Sequence, residues 1–352
     1  NKDSKNINQS ILQSIIISGI TSIIIVLILI FFEKEIVMKI YKNPQISGVL
    51  KIFAISLPFF TFLQLQKSLF KSFKKPELSS LSDVGSILFL ISILIIFFQI
   101  IEINLTVYRI SIFFLFSCIT IFSLNNFILF YLILKDSSIF KLKKFYYKKN
   151  ELLKSLPDYF SIDLVNYLNV WGCIFLSSFF YESSVVGSFT SVYWFAYSIL
   201  FFPLVINSIY APYYAIDSKK NNLIRLKKLF YQNRNTSLIL TLPIFLVLFI
   251  FSNFFLKLIL NIDSTQLDII FKILLINSLI RILFGPQNLF LNMASEEKKL
   301  KHALIISTIF QTLSMMLSLI YLDIIFLTVT FLISNILKHI WLRIILNNKL
   351  SN

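Results

Sequence analysis

Ten apolar runs, each close to the length of a bilayer crossing, follow one another through this chain of 352 residues. A helix needs about 20 mainly apolar residues to cross the hydrocarbon of a membrane. The runs fall at roughly 11–32, 49–70, 83–101, 110–134, 158–180, 187–210, 237–260, 267–290, 301–322 and 324–346. They are continuous rather than alternating, and a bilayer admits only helices or closed barrels as spanning structures. The chain therefore reads as an all-α polytopic membrane protein with about ten transmembrane helices.

Composition agrees with this reading. Hydrophobic residues make up 57% of the chain, far more apolar surface than a soluble core of this size could hide. The formal net charge of +16 would suggest a nucleic-acid partner in a soluble protein, but here the charges sit between the apolar runs and set orientation instead. With the first tail taken as cytoplasmic and sides alternating from there, 25 of the 33 Lys and Arg fall on the cytoplasmic side, five on the other and three inside helices. Both termini are thus expected in the cytoplasm, in the cell inner (plasma) membrane, with membrane lipids and no nucleic acid around the protein. Cys118 and Cys173 lie inside apolar runs and act as small hydrophobes. The chain begins at Asn1 without an initiating Met or a cleavable signal pattern, so an N-terminal portion is expected to be missing.

The longest polar interval, Lys135 to Asp158, separates four runs from six. It divides the chain into an N-terminal bundle over 1–134, a basic connector over 135–157 and a C-terminal bundle over 158–352. The connector carries seven lysines around Phe140, Leu142, Phe145 and Tyr146. It reads either as a segment lying on an anionic membrane surface or as a solvated positive loop.

Polar groups at membrane depth are the candidates for function. Arg281 lies midway along its run, where a charge costs on the order of 3 kcal/mol and normally faces a bundle interior or a watery cavity. Helical spacing puts Asn277 and Asn288 on the same face, while Lys272 points about half a turn away and is near enough to the surface to snorkel. Asp163, Asn166 and Asn169 trace a slanted polar stripe on the run after the connector. These groups either pair with Arg281 or line a substrate path, and Arg281 itself either faces a cavity or is locked to a neighbouring carboxylate. Asp163 is the candidate titrating group for any ion coupling. Gln99, Asn125, Asn126 and Gln311 read as interhelical hydrogen bonds. Ser14, Ser18, Gly19 and Ser22 form a packing seam, and Pro58, Pro203, Pro243 and Pro286 interrupt four helices, as gates or as passive kinks.

No catalytic constellation is present. His302 and His339 stand in separate helices, there is no CxxC, HExxH or GxSxG pattern, and six glycines leave no phosphate-cradling loop. The chain is not expected to be an enzyme or to carry a cofactor or metal.

Several stretches together resemble Wzx-type polysaccharide flippases of the multidrug/oligosaccharidyl-lipid/polysaccharide (MOP) exporter superfamily. Phe175 to Tyr197, FLSSFFYESSVVGSFTSVYWFAY, is similar to the family's link between its seventh and eighth helices, with Gly187 in a V-G-x-[YF] position and Glu182 where Asp is common. Ala211-Pro212, a charged interval and Leu242-Pro243 follow in the family's order. Ile55 to Lys75 is similar to its fourth helix, and Asn288 to Lys299 resembles a loop with an acidic and basic pair. The resemblance implies a MOP/MATE-like fold of two bundles around a central cavity, here lacking the first two helices. It also implies transport of an undecaprenyl-pyrophosphate-linked oligosaccharide from the cytoplasmic to the outer leaflet for O-antigen, lipopolysaccharide or capsule biosynthesis. Polysaccharide polymerase and chain-length proteins would be its further partners. A MATE-like multidrug or cation antiporter and a membrane glycan polymerase are the alternatives, and short external intervals argue against the polymerase.

Overall fold

The computed structural model describes residues 2–41, 44, 46–72, 75–135, 151–219, 223–294, 296–321 and 323–351, and among them no strand forms. Two compact units, Asn1–Asn150 and Glu151–Asn352, divide the chain. Among the described residues eight helical stretches are long and apolar enough to cross a membrane, one of them running from Ser183 to Ser218, and Val84–Ile100 is a shorter apolar helix. Thr265–Phe284 adds a helix of 20 residues that carries Asp268, Lys272 and Arg281 within it. The result is a multi-pass, all-helical membrane protein.

The first unit holds α1 (Lys2–Phe31), the single turn α2 (Glu33–Glu35), α3 (Ile46–Ser72), α4 (Pro76–Leu81), α5 (Val84–Ile100) and α6 (Val107–Lys135). α3 packs on α1 and α6, and α5 packs on α6. Because lipid is as apolar as leucine, close fit and hydrogen bonds rather than hydrophobicity hold such helices together. The seam on α1 shows the close fit: Ser22 is buried, and a Cβ placed on Gly19 would lie 3.4 Å from the Phe62 ring of α3. Hydrogen bonds supply the rest. Gln66 donates to Asn126 at 2.8 Å, Asn125 donates to Ser82 at 2.9 Å, and Lys67 pairs with Asp83 at 2.8 Å. Asp83 also caps α5 by accepting from the Val84 amide.

The second unit contains α7 (Glu151–Phe180), α8 (Ser183–Tyr197), α9 (Phe201–Lys219), α10 (Leu223–Ile250), α11 (Ser252–Leu260), α12 (Thr265–Phe284), α13 (Gln287–Met293), α14 (Glu297–Tyr321) and α15 (Ile324–Ser351). One apolar core gathers Phe189, Tyr193, Phe271, Leu274 and Phe331, and a second gathers Tyr214, Phe230, Phe290, Leu342 and Leu346. Along α7 and α15, polar residues separate the side chains of one core from those of the other, so a polar layer crosses the unit between two apolar ones.

Three expectations are corrected here. α7 already begins at Glu151, inside the interval taken as connector, while residues 136–150, with the aromatic and lysine pattern, lie outside the described residues. α10 begins at Leu223, ahead of the apolar run placed at 237–260, so Arg225, Lys227, Lys228 and Arg234 stand on the same helix as that run. Pro58 and Pro243 sit inside unbroken helices, whereas Pro286 follows a true break: α12 ends at Phe284 and Gly285 takes φ 79°. A positive φ is cheap for glycine alone, and a Cβ there would also come within 3.0 Å of the Phe230 ring.

Candidate functional site

The polar layer of the second unit opens into two adjoining chambers of about 520 Å3 and about 240 Å3. Both are lined by residues of this unit alone, and Val170, Tyr197, Arg281, Asn288 and His339 belong to the walls of both. Arg281 is the side chain on which the two chambers meet. It is exposed, no ion pair joins it to a carboxylate among the described residues, and the Tyr197 hydroxyl lies beside it. The open alternative of the sequence is thereby resolved in geometry: Arg281 looks into space rather than into a salt bridge.

Each neighbour reaches the chambers for a local reason. Asn277 is one helical turn before Arg281 on α12 and is 4% exposed. Asn288 was assigned by spacing to the same helix, but the Gly285 break places it on α13, from which it still lines both chambers. Its Oδ1 is buried with no hydrogen-bond partner among the described residues. Asn166 and Asn169 enter from α7, three residues apart. Asn169 donates to Thr308 of α14 at 2.6 Å and to the Val165 carbonyl at 2.8 Å.

Two candidates stand elsewhere. Lys272 pairs with Asp268 at 2.8 Å, one turn away on its own helix, and lines neither chamber. Asp163 is exposed, lines neither chamber and makes no ion pair with Arg281. Gln311 is 1% exposed, and both polar atoms of its amide lack a partner among the described residues. A buried water would satisfy such a group.

Sequence reasoning missed the residues of α15. Lys338, one of the 25 Lys and Arg that the charge count places on the cytoplasmic side, lines the smaller chamber, where its ammonium donates to Asn169 Oδ1 at 3.0 Å and Asn335 Oδ1 at 2.5 Å. His339 stacks on Phe284 with ring centroids 5.4 Å apart, and its Nδ1 lies 2.9 Å from Gln287 Oε1. Gln287 in turn donates to the His339 carbonyl at 3.0 Å, which ties α13 to α15 just past the break. The signal was present: Asn335, Lys338 and His339 are spaced i, i+3 and i+4 with apolar sequence continuing beyond them. Arg234, which packs 4.9 Å from the Tyr231 ring, adds a second cation, beside Arg281, to the wall of the larger chamber. Trp194 and Tyr197 add aromatic faces, with Trp194 4.7 Å from Trp171.

The walls thus combine Arg281, Lys338 and Arg234 with several amides and two aromatics, and the residues lining the chambers include no Asp or Glu. Such a surface attracts an anion, all the more because charge interactions are screened far less inside a membrane protein than in water. Among the described residues no cluster of three His, Cys, Asp or Glu could hold a metal ion.

No protein-family model matches the chain, and no curated protein matches it in sequence. Solved structures match it throughout. A MATE crystallised in complex with MaL6 aligns with a TM-score of 0.74 at 13% identity, covering 100% of this chain and 82% of that one. An outward-facing multidrug resistance MATE family transporter of the MOP superfamily aligns at 0.70 with 12% identity, covering 99% of this chain and 80% of that one. The Vibrio cholerae MATE transporter VcmN in its bent form aligns at 0.64 with 16% identity, covering 99% and 82%. At these identities the likeness defines the fold: this chain has the architecture of MATE transporters of the MOP superfamily.

Proposed function

We propose that this protein is a transporter that moves an undecaprenyl-pyrophosphate-linked oligosaccharide from the cytoplasmic to the outer leaflet of the inner membrane by alternating access. The observation that carries the reading is the charge of the chamber walls, in which three cations face open volume with no carboxylate beside them. A diphosphate headgroup answers that charge. The amides and the Trp194 and Tyr197 faces suit the sugars, which need hydrogen bonds and flat apolar surfaces together. The lipid tail would stay in the bilayer.

The test is surface glycan in cells carrying Arg281→Ala or Arg281→Glu at normal protein level. Loss of glycan supports the reading, and unchanged glycan removes Arg281 from the mechanism. The second reading, a multidrug antiporter, is favoured by the solved structures of the same fold, two of which are of multidrug resistance transporters. Antiport of cationic drugs calls for inward carboxylates, which the chamber walls lack. Drug resistance on expression, with no effect on glycan, would establish it instead.

A further inference from the structure

Two cations of unlike kind share the smaller chamber. Arg281 is exposed, lines it and has no carboxylate partner among the described residues, whereas the Lys338 ammonium is held in its wall by two neutral amide oxygens, Asn169 Oδ1 at 3.0 Å and Asn335 Oδ1 at 2.5 Å. An amide oxygen can orient an ammonium but cannot neutralise it, and an ammonium has a third donor beyond these two. Like charges facing one enclosed volume repel until a counter-charge enters. Asn288, in the same wall, carries an amide NH2 that can donate to an anion, while its Oδ1, without a partner among the described residues, calls for a donor such as water. A purely structural lysine would normally be paired with a carboxylate, and none lines this chamber.

We propose that the chamber of about 240 Å3 is an oxyanion site for a phosphate or diphosphate group, clamped between Arg281 and Lys338, with Asn169 and Asn335 positioning the lysine until the anion takes it. The proposal rests on the transport reading above and deepens it by assigning the charged end of the cargo to one compartment and to Lys338. It also links binding to motion. Asn169 belongs to α7 and is bonded at the same time to Thr308 of α14 and to Lys338 of α15. When an anion draws Lys338 away, the tie between α7 and α15 is released while the tie to α14 remains.

The test uses the purified full chain in detergent micelles titrated with inorganic pyrophosphate, with sulfate at equal ionic strength as the control. Wild type should bind pyrophosphate saturably, and Lys338→Met should weaken binding at least about tenfold. Asn335→Asp, which gives Lys338 a carboxylate and closes the site with its own charge, should weaken binding comparably. Lys338→Arg should recover most of the loss. If wild type ignores inorganic pyrophosphate, the same titration with a polyprenyl diphosphate decides the source: binding that disappears in Lys338→Met assigns the site to the lipid headgroup, and binding of neither ligand overturns the proposal. Pyrophosphate binding that is untouched in Lys338→Met but lost in Arg281→Ala also overturns it, and leaves the transport reading standing. Pyrophosphate binding that depends on Lys338, in a protein whose Arg281 variants still display normal surface glycan, keeps the site and removes the cargo.

Discussion

Gln66 donates to Asn126 across α3 and α6, and Asn125 donates to Ser82, so these amides of the first unit reach protein partners, while Gln66 Oε1 and Asn125 Oδ1 have none among the described residues. In the second unit Asn166, Asn277, Asn288 and Asn335 stand in the wall of a chamber, and Asn169 and Asn335 hold an ammonium there. The side chains are chemically the same. What separates the two units is the presence of cations facing open volume: an amide pair closes on itself and draws helices together, whereas an unneutralised cation requires water or an anion near it and so keeps its surroundings open.

This contrast can be broken most forcefully at Arg281. Arg281→Glu reverses the charge shared by both chambers and is expected to abolish glycan export, with Arg281→Ala reducing it at least about tenfold, read as surface glycan at matched expression. Next in size is the helix break. Gly285→Ala places a Cβ 3.0 Å from the Phe230 ring at φ 79°, and should cost about 1–3 kcal/mol, read as a lower melting temperature of the purified protein. A variant as stable as wild type would show that α12 and α13 adjust freely there.

Smaller effects test the other side of the comparison. Asn125→Ala in the first unit removes one interhelical bond and should lower stability by about 0.6–1.7 kcal/mol while leaving pyrophosphate binding intact. A loss of binding would mean that the two units do not divide structure from recognition as described. The smallest effect lies outside the spans. Burial alone would raise the Glu296 carboxyl, but hydrogen bonds from Lys299 and Lys349, each 3.0 Å away, outweigh it and hold the carboxyl below its ordinary value of 4.5. The ion pairs therefore stabilise the folded protein above about pH 4.5, and that contribution is lost as pH falls through the lowered value. The Ser47 hydroxyl and Lys51 hold Glu33 down in the same direction. Because Lys299 is 67% exposed, the contribution of that pair is small. Glu296→Gln should flatten the acid limb of melting temperature against pH, and an unchanged limb would assign that limb to other carboxylates.

Much of this was legible in the chain itself. Ten apolar runs specify helices because a bilayer leaves the backbone no other partner for its own hydrogen bonds, and Arg281 announced itself by sitting where charge is expensive. Asn277, Asn166 and Asn169 followed from helical spacing. Lys272 and Asp163 line neither chamber, because spacing along one helix says nothing of the carboxylate or open surface that a side chain meets: Lys272 found Asp268, and Asp163 is exposed. Lys338 was hidden for the opposite reason, since a lysine near the end of a run looks like an anchor until neighbouring helices enclose it.

The local content of the sequence, apolar length and the positions of a few polar residues, determined that this protein is helical, embedded in a membrane and polar in its interior. Only the tertiary structure decided which polar residues face one another. A one-turn break at Gly285 carries Asn288 onto a separate helix, and α7, α14 and α15 converge to hold Lys338 on two amides. Both depend on how helices far apart in the chain pack, because a charge becomes a binding group or a structural one according to what stands within about 3–4 Å of it, and that distance is set across helices rather than along them.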